Sequence, residues 1–179
     1  AIILAAGNGT RMKSDLHKVL HPLAGRPMLL HLLSSVAALE PARTVVVVGA
    51  RREQVEAAVA PVGAEVVHQA EQLGTGHAVH QAEGALAGFA GDVLILYGDV
   101  PLTTTETMRR MLERLHAADA PATVDASFRP VDPAAYGRGI ADGDGPIVKM
   151  VEYKDALPEE RAINLCNSGL MAVRSENLF

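Results

Sequence analysis

Short apolar runs rich in β-branched side chains punctuate the first hundred positions, at residues 2–5, 44–48, 64–67 and 93–97. Their near-continuous hydrophobicity, without polar alternation, is that of strands buried on both faces. Between them the apolar positions recur at helical spacing. Pro27 fits the first turn of a helix running to Leu39. Residues 51–60 place Val55, Ala58 and Val59 on one face, and residues 75–87 do the same with Ala78, Val79, Ala82 and Leu86. The spacing predicts a further helix over 103–116. There Thr103-Thr-Thr-Glu106 reads as a capping box, and Met108, Met111, Leu112 and Leu115 form the apolar stripe. This alternation of strand and helix predicts an α/β fold with a mostly parallel sheet, joined by right-handed crossovers.

The regularity fades after Pro121. Residues 123–128 read as a strand, residues 134–145 as a glycine-rich loop carrying Asp142 and Asp144, and residues 147–151 and 170–173 as further strands. No repeat, low-complexity tract or linker interrupts the chain, so residues 1–179 are expected to form one domain. That length can bury a sizeable core, and 49% hydrophobic with 21% charged residues is a globular balance. A net charge of −5 argues against a general nucleic-acid or acidic-membrane surface, so any anionic ligand needs a local basic cluster. The single cysteine, Cys166, excludes an intrachain disulfide, which makes a reducing cytoplasm the simplest assignment. Cys166 itself reads as a small half-buried residue. No apolar run has the length of a membrane span, and no signal peptide is expected before the first strand. The chain opens on a strand without an initiator methionine and closes just after an apolar run, so it is expected to be cut at both ends.

Three loops carry candidate chemistry. The first, Gly7-Asn-Gly-Thr-Arg-Met12, starts like a dinucleotide fingerprint, but Met12 stands where the third glycine belongs, and the spacing does not fit a Walker loop either. Its competing reading is a flexible turn. Arg11 and Lys18 weigh against that reading. The small residues Ala5, Ala6 and Gly7 let a ligand approach the backbone, while Arg11 offers a planar fork and Lys18 a point charge to adjacent phosphates. The second ends another buried strand at Tyr97-Gly98-Asp99, where a hard carboxylate suits Mg²⁺ bound to phosphates; alternatively, Asp99 simply begins the turn into Pro101. The third runs from His68 through Gln69 to Gly74-Thr75-Gly76. It can offer an amide and bare backbone to a base edge, with Thr75 also well placed as a helix N-cap. His17 with His21, and His77 with His80, have the spacing of metal pairs but no thiolate or carboxylate companions, which reads against zinc. Asp142 and Asp144 lack the later glutamate of a calcium loop and read better as a solvated hairpin tip.

Taken together, these segments resemble the signature of sugar-phosphate nucleotidyltransferases. Leu4-Ala-Ala-Gly7, Gly9-Thr-Arg-Met12 and Lys18-Val-Leu carry the general likeness. Gln69-Ala-Glu-Gln-Leu-Gly-Thr-Gly-His-Ala78, Tyr97-Gly-Asp-Val-Pro-Leu102, Tyr136-Gly-Arg138, Val151-Glu-Tyr-Lys-Asp-Ala156 and Asn167-Ser-Gly169 narrow it. Over nearly its whole length the chain is similar to the uridylyltransferase domain of the bacterial bifunctional N-acetylglucosamine-1-phosphate uridylyltransferases and glucosamine-1-phosphate acetyltransferases.

The resemblance implies a Rossmann-like nucleotidyltransferase fold, a mostly parallel mixed sheet flanked by helices. The implied reaction is Mg²⁺-dependent transfer of UMP from UTP to N-acetylglucosamine 1-phosphate in a cytoplasmic enzyme of cell-wall precursor synthesis. It places Leu4, Ala5, Ala6, Gly7, Gln69, Gly74 and Thr75 on the nucleotide, Arg11 and Lys18 along the phosphates as the catalytic pair, and Asp99 on the metal. Tyr97, Gly98, Gly137, Glu152 and Asn167 fall on the amino sugar and its neighbouring ribose or phosphate. It further implies a β-helix acetyltransferase domain and a second metal ligand, an asparagine, beyond Phe179, and a homotrimeric full-length parent. Where the family has a proline before the lysine, this chain has His17. Two rivals stand beside this reading: a nucleotidyltransferase of different base preference, and an inactive nucleotide-sugar-binding subunit.

Overall fold

The computed structural model describes residues 1–179 apart from Asn8, Thr10, Arg11, Ala120 and Asp144. It divides into two compact units, the first formed by Ala1–Val124 with Ala172–Phe179, the second by Asp125–Met171.

The first unit is built on parallel strands. β1 (Ile2–Ala5) pairs in parallel with β4 (Val45–Val48) on one side and with β6 (Asp92–Tyr97) on the other, and β4 pairs in parallel with β5 (Glu65–His68). Every residue of β1 and β4 is buried, as their unbroken hydrophobicity requires. β5 departs from that expectation: it lies at the sheet edge, and Val66 and Val67 are half-buried between exposed Glu65 and His68. A small antiparallel ribbon, β2 (Pro22–Leu23) with β3 (Arg26–Pro27), precedes α1.

The helices follow the apolar stripes more closely than their ends follow the punctuation. α1 (Met28–Ala37) buries Leu29, Leu32, Leu33 and Val36, and Pro27 caps it from outside. α2 (Arg52–Val59) buries Val55 and Val59. α3 (Thr75–His80) is shorter than the stripe predicts. From Gln81 onward the amides bond three residues back, in a 3₁₀ pattern that carries the chain through Gly84–Leu86, yet Ala78, Val79, Ala82 and Leu86 are all buried as expected. α4 (Thr105–Leu115) is capped by Thr104, whose Oγ1 accepts from the Thr107 amide at 3.1 Å. Thr103, the expected cap, is instead buried and donates its hydroxyl to the Val100 carbonyl at 3.1 Å, closing the turn that follows β6.

The second unit is antiparallel. β7 (Thr123–Phe128) ends in it, and β8 (Arg138–Ala141) pairs antiparallel with β9 (Ile147–Val151) and, through Cys166, with β10 (Cys166–Arg174). β8 lies within the segment expected to be a glycine-rich loop. Its pairing on both sides outweighs the poor strand propensity of Gly139. A turn around Asp142 joins β8 to β9, with the Gly145 amide donating to the Asp142 carbonyl at 2.8 Å, so the expected hairpin tip is present; Asp144 lies outside the described residues. A one-turn helix, α5 (Pro158–Arg161), follows. Cys166 is fully buried, not half-buried, against the inward-facing Arg138. Among the described residues no helix is long and apolar enough to cross a membrane.

Candidate functional site

The parallel register brings the carboxyl ends of the strands of the first unit level with one another, since Ala5 stands opposite Val48, Val48 opposite His68, and Leu4 opposite Tyr97. Loops that leave level strand ends converge, and in open α/β sheets this edge is where ligands bind. A cleft of about 400 Å³ opens there, within the first unit. Its walls include Leu4, Ala5, Ala6 and Gly7 from the β1 end, Gln69, Gly74 and Thr75 from the loop after β5, and Tyr97, Asp99 and Lys18.

The backbone leaves that cleft open where a ligand would need it. A β-carbon on Gly7 or Gly74 would meet no atom within 4 Å among the described residues. Gly74 also has φ +107, a conformation that excludes other residues, and it takes the capping position before α3. Thr75 is therefore the first residue of the helix and not its cap, and the Tyr97 hydroxyl donates to its Oγ1 at 3.5 Å. Gln69 is buried, with its amide nitrogen 3.2 Å from the Gly74 carbonyl. Gly98 does not line the cleft. Its amide extends the sheet by donating to the Leu4 carbonyl at 2.9 Å, and a β-carbon there would press on Leu29 at 3.2 Å and Val19 at 3.3 Å.

Lys18 and Asp99 meet at one side of the cleft as an ion pair, drawn from segments 81 residues apart. Both side chains are partly exposed, so the pair contributes little stability but holds a cation and a hard carboxylate in one place. Gly9, at φ +58, lies so close that a β-carbon would sit 2.7 Å from that of Lys18. Arg11, the other expected phosphate contact, lies outside the described residues.

His17 has a structural account. Its φ of −57 is what a proline would impose, but its amide donates to Gln54 Oε1 at 2.7 Å, a bond proline could not make. The ring caps the short 3₁₀ turn Lys18–Leu20, with Nδ1 accepting from the Val19 amide at 3.4 Å, and Nε2 is buried without a partner among the described residues. Burial, and then the Arg51 charge, hold its pKa below the ordinary histidine value. The unfolded chain therefore binds a proton in mildly acidic solution that the folded chain refuses. Stability is complete above the unfolded pKa and falls with pH below it. His17→Pro is expected to remove this loss, so its stability relative to wild type should improve between pH 8 and pH 5.5. Parallel urea or thermal denaturation curves at the two pH values check this, and equal pH slopes for both proteins would refute it.

The second unit gathers its own expected residues. The Asn167 amide donates to the Gly137 carbonyl at 3.0 Å, and a β-carbon on Gly137 would lie 3.7 Å from both carboxylate oxygens of Glu152. Arg138 anchors this loop from beneath. It is buried and donates to the carbonyls of Pro133, Ala134 and Tyr136.

Residues 1–143 match the model of the MobA-like NTP transferase domain. The chain belongs to that family. This NTP transferase domain is 67% identical over its full 179 residues to the bifunctional protein GlmU of Rhizorhabdus wittichii and 66% identical to that of Sphingopyxis alaskensis. It spans about 40% of the length of these relatives. Among solved structures it resembles HddC from Yersinia pseudotuberculosis complexed with GMP-PN, with a TM-score of 0.75 at 21% identity, over 98% of this chain and 76% of that one. The NTP transferase domain thus has a Rossmann-like nucleotidyltransferase fold with a mixed sheet.

One cleft residue of the NTP transferase domain, Gln72, and a glycine packed beside it, Gly49, were not singled out from the sequence. Gln72 lines the cleft and donates to the Ala6 carbonyl at 2.6 Å, and Gly49 lies against that same carbonyl. Gly49 directly follows the buried run of β4, which is the signal that a close approach was required.

Proposed function

We propose that the chain is the uridylyltransferase domain of a bifunctional enzyme and transfers UMP from UTP to N-acetylglucosamine 1-phosphate. The observation that carries this reading is the cleft, where small residues, a buried amide, Lys18 and Asp99 converge in a chain so similar to bifunctional GlmU proteins. A phosphate oxygen of the sugar phosphate attacks the α-phosphorus of UTP, and the bond from that phosphorus to the bridging oxygen breaks. The electron pair leaves with pyrophosphate, and UDP-N-acetylglucosamine remains. The attacking group is already an anion, so no general base is needed. Positioning and charge neutralisation supply most of the acceleration.

The residues take their parts accordingly. Leu4, Ala5, Ala6 and Gly7 let the nucleotide lie against the chain, while Gln69 and the Gly74 backbone face the base and Thr75 the nucleotide. Lys18, with Arg11, neutralises the phosphates. By the family likeness, Tyr97, Gly137, Glu152 and Asn167 take the amino sugar and its neighbouring ribose or phosphate, as does Gly98 in that likeness, although here it packs behind the cleft against Leu29 and Val19. Asp99 is the residue that would hold Mg²⁺. Among the described residues no group of three His, Cys, Asp or Glu side chains could hold an ion. A single hard carboxylate fits Mg²⁺, which draws the rest of its shell from phosphates and water. When bound, the ion supplies charge neutralisation at phosphoryl oxygens.

Pyrophosphate release measured with UTP, dTTP, CTP and GTP against N-acetylglucosamine 1-phosphate and glucose 1-phosphate tests the assignment. UTP with the N-acetylated sugar is expected to be turned over fastest. Equal rates across the nucleotides would sink the uridylyl assignment.

A further inference from the structure

We infer that His77 contributes to the base selectivity of the cleft by holding, together with the Gly74 carbonyl, the NH₂ end of the Gln69 amide, so that its oxygen is left for the nucleotide. The inference rests on the uridylyl reading and adds to it a residue that lies outside the cleft wall. The Gln69 amide nitrogen is 3.2 Å from the Gly74 carbonyl oxygen and 3.0 Å from His77 Nδ1. A backbone carbonyl only accepts, so the NH₂ end of the amide must face Gly74; turned over, Gln69 would set two acceptors against each other in a buried place. Its second hydrogen then goes to His77 Nδ1, which requires the tautomer carrying its proton on Nε2.

The far side of the ring competes with this choice, because the Gln81 amide nitrogen also donates to the His77 carbonyl at 3.1 Å and so faces the ring with its NH₂ end. Nε2 lies 3.2 Å from that amide nitrogen, and a neutral ring accepts at only one of its two nitrogens, so Gln69 and Gln81 cannot both donate to it. Gln81 is only half-buried, so its amide can swing off the ring toward water and give way. Gln69 is 3% exposed and has no such freedom.

Both Gln69 hydrogens are therefore used, and Oε1, which accepts no hydrogen bond among the described residues, is what remains for a base. An acceptor in that place matches the N3–H of uracil. It opposes cytosine, whose N3 is itself an acceptor, and an opposed pair of buried acceptors discriminates better than a lost contact. His77 touches no base on this account and acts as a positioning residue.

The test separates the two ring nitrogens. Asparagine can place an acceptor near Nδ1, whereas glutamine reaches the position of Nε2 and leaves Gln69 to the Gly74 carbonyl alone. Binding of UTP and of CTP to the chain in the presence of Mg²⁺ is measured by titration calorimetry for wild type, His77→Asn and His77→Gln, with melting curves to confirm folding. The ratio of UTP to CTP affinity is expected to stay near wild type in His77→Asn and to fall about tenfold in His77→Gln. Equal weakening of both nucleotides in His77→Gln, with the ratio preserved, overturns the inference alone. A wild-type chain with no preference for UTP over CTP overturns the uridylyl reading and this inference with it.

Discussion

Asp99→Asn is expected to lower magnesium-supported pyrophosphate release by at least about a hundredfold while shifting the melting temperature by no more than about 2 °C. The two halves of that expectation have separate grounds. Asp99 follows a buried strand and a glycine whose β-carbon position is already crowded, so the backbone that presents it is fixed by β6 and its neighbours and not by the carboxylate. The Lys18–Asp99 pair is open enough to water that replacing one partner leaves Lys18 solvated rather than stranded. Turnover is another matter. Asparagine keeps the shape and one oxygen but removes the charge that a hard divalent cation requires, and the phosphates would then face each other with less to neutralise them. A binding readout guards against an inactive preparation: added Mg²⁺ with UTP should raise the melting temperature of wild type more than that of Asp99→Asn. Undiminished turnover with an unchanged magnesium dependence would remove Asp99 from the site.

The ion pair also gives Lys18 a reason to stand ready. Without phosphates, the ammonium and the carboxylate neutralise each other, and neither charge is left unpaired at the mouth of the cleft. A triphosphate offers the lysine a stronger partner, and the carboxylate it releases is the group we propose for the cation. The pairing joins the two ends of the catalytic proposal in one contact, although 81 residues separate them in the chain.

How much of this the sequence revealed depends on what each residue answers to. The buried strands of the first unit were legible because a strand covered on both faces has no polar positions, and β1 spans the residues its hydrophobicity marks. The second unit was less legible. Gly139 and the neighbouring polar residues read as loop, yet β8 is held by partners on both sides that no local pattern announces. Caps were misplaced by one residue for a similar reason. Thr103 and Thr104 are equally good caps in isolation, and only the Val100 carbonyl decides which hydroxyl is spent on a turn. At Thr75, a glycine with positive φ replaced the expected side-chain cap. His17 was the oddest residue of the phosphate loop in sequence. In the fold it is a proline-like backbone that gains a hydrogen bond to α2 and leaves one ring nitrogen without a partner among the described residues. Gln72 lies within the Gln69–Ala78 motif yet was not singled out, and Gly49 lies in no motif, because their contacts with the Ala6 carbonyl join segments far apart in the chain.

Gly49 is where that missed connection should matter most. Gly49→Ala is expected to destabilise the chain by about 3 kcal/mol, lowering the melting temperature by roughly 10 °C, and to weaken UTP binding as well. Its φ lies outside the region reserved for glycine, so the effect is one of space and not of backbone strain. An added β-carbon would collide with the Ala6 carbonyl oxygen and lie 2.9 Å from the Gln72 amide nitrogen. The carbonyl cannot simply turn away, because it accepts from Gln72 and follows directly on β1, which is paired along both edges. Relief therefore requires the end of β1 to shift, and that end is the floor of the cleft. Gly7→Ala supplies the contrast. A β-carbon there meets nothing within 4 Å among the described residues, so stability should be unchanged while the methyl group would stand where we propose that the nucleotide lies. Melting curves and UTP titrations on the two variants distinguish a glycine required by the fold from one required by the ligand. Wild-type melting in Gly49→Ala, or a large loss of stability in Gly7→Ala, would contradict the assignment.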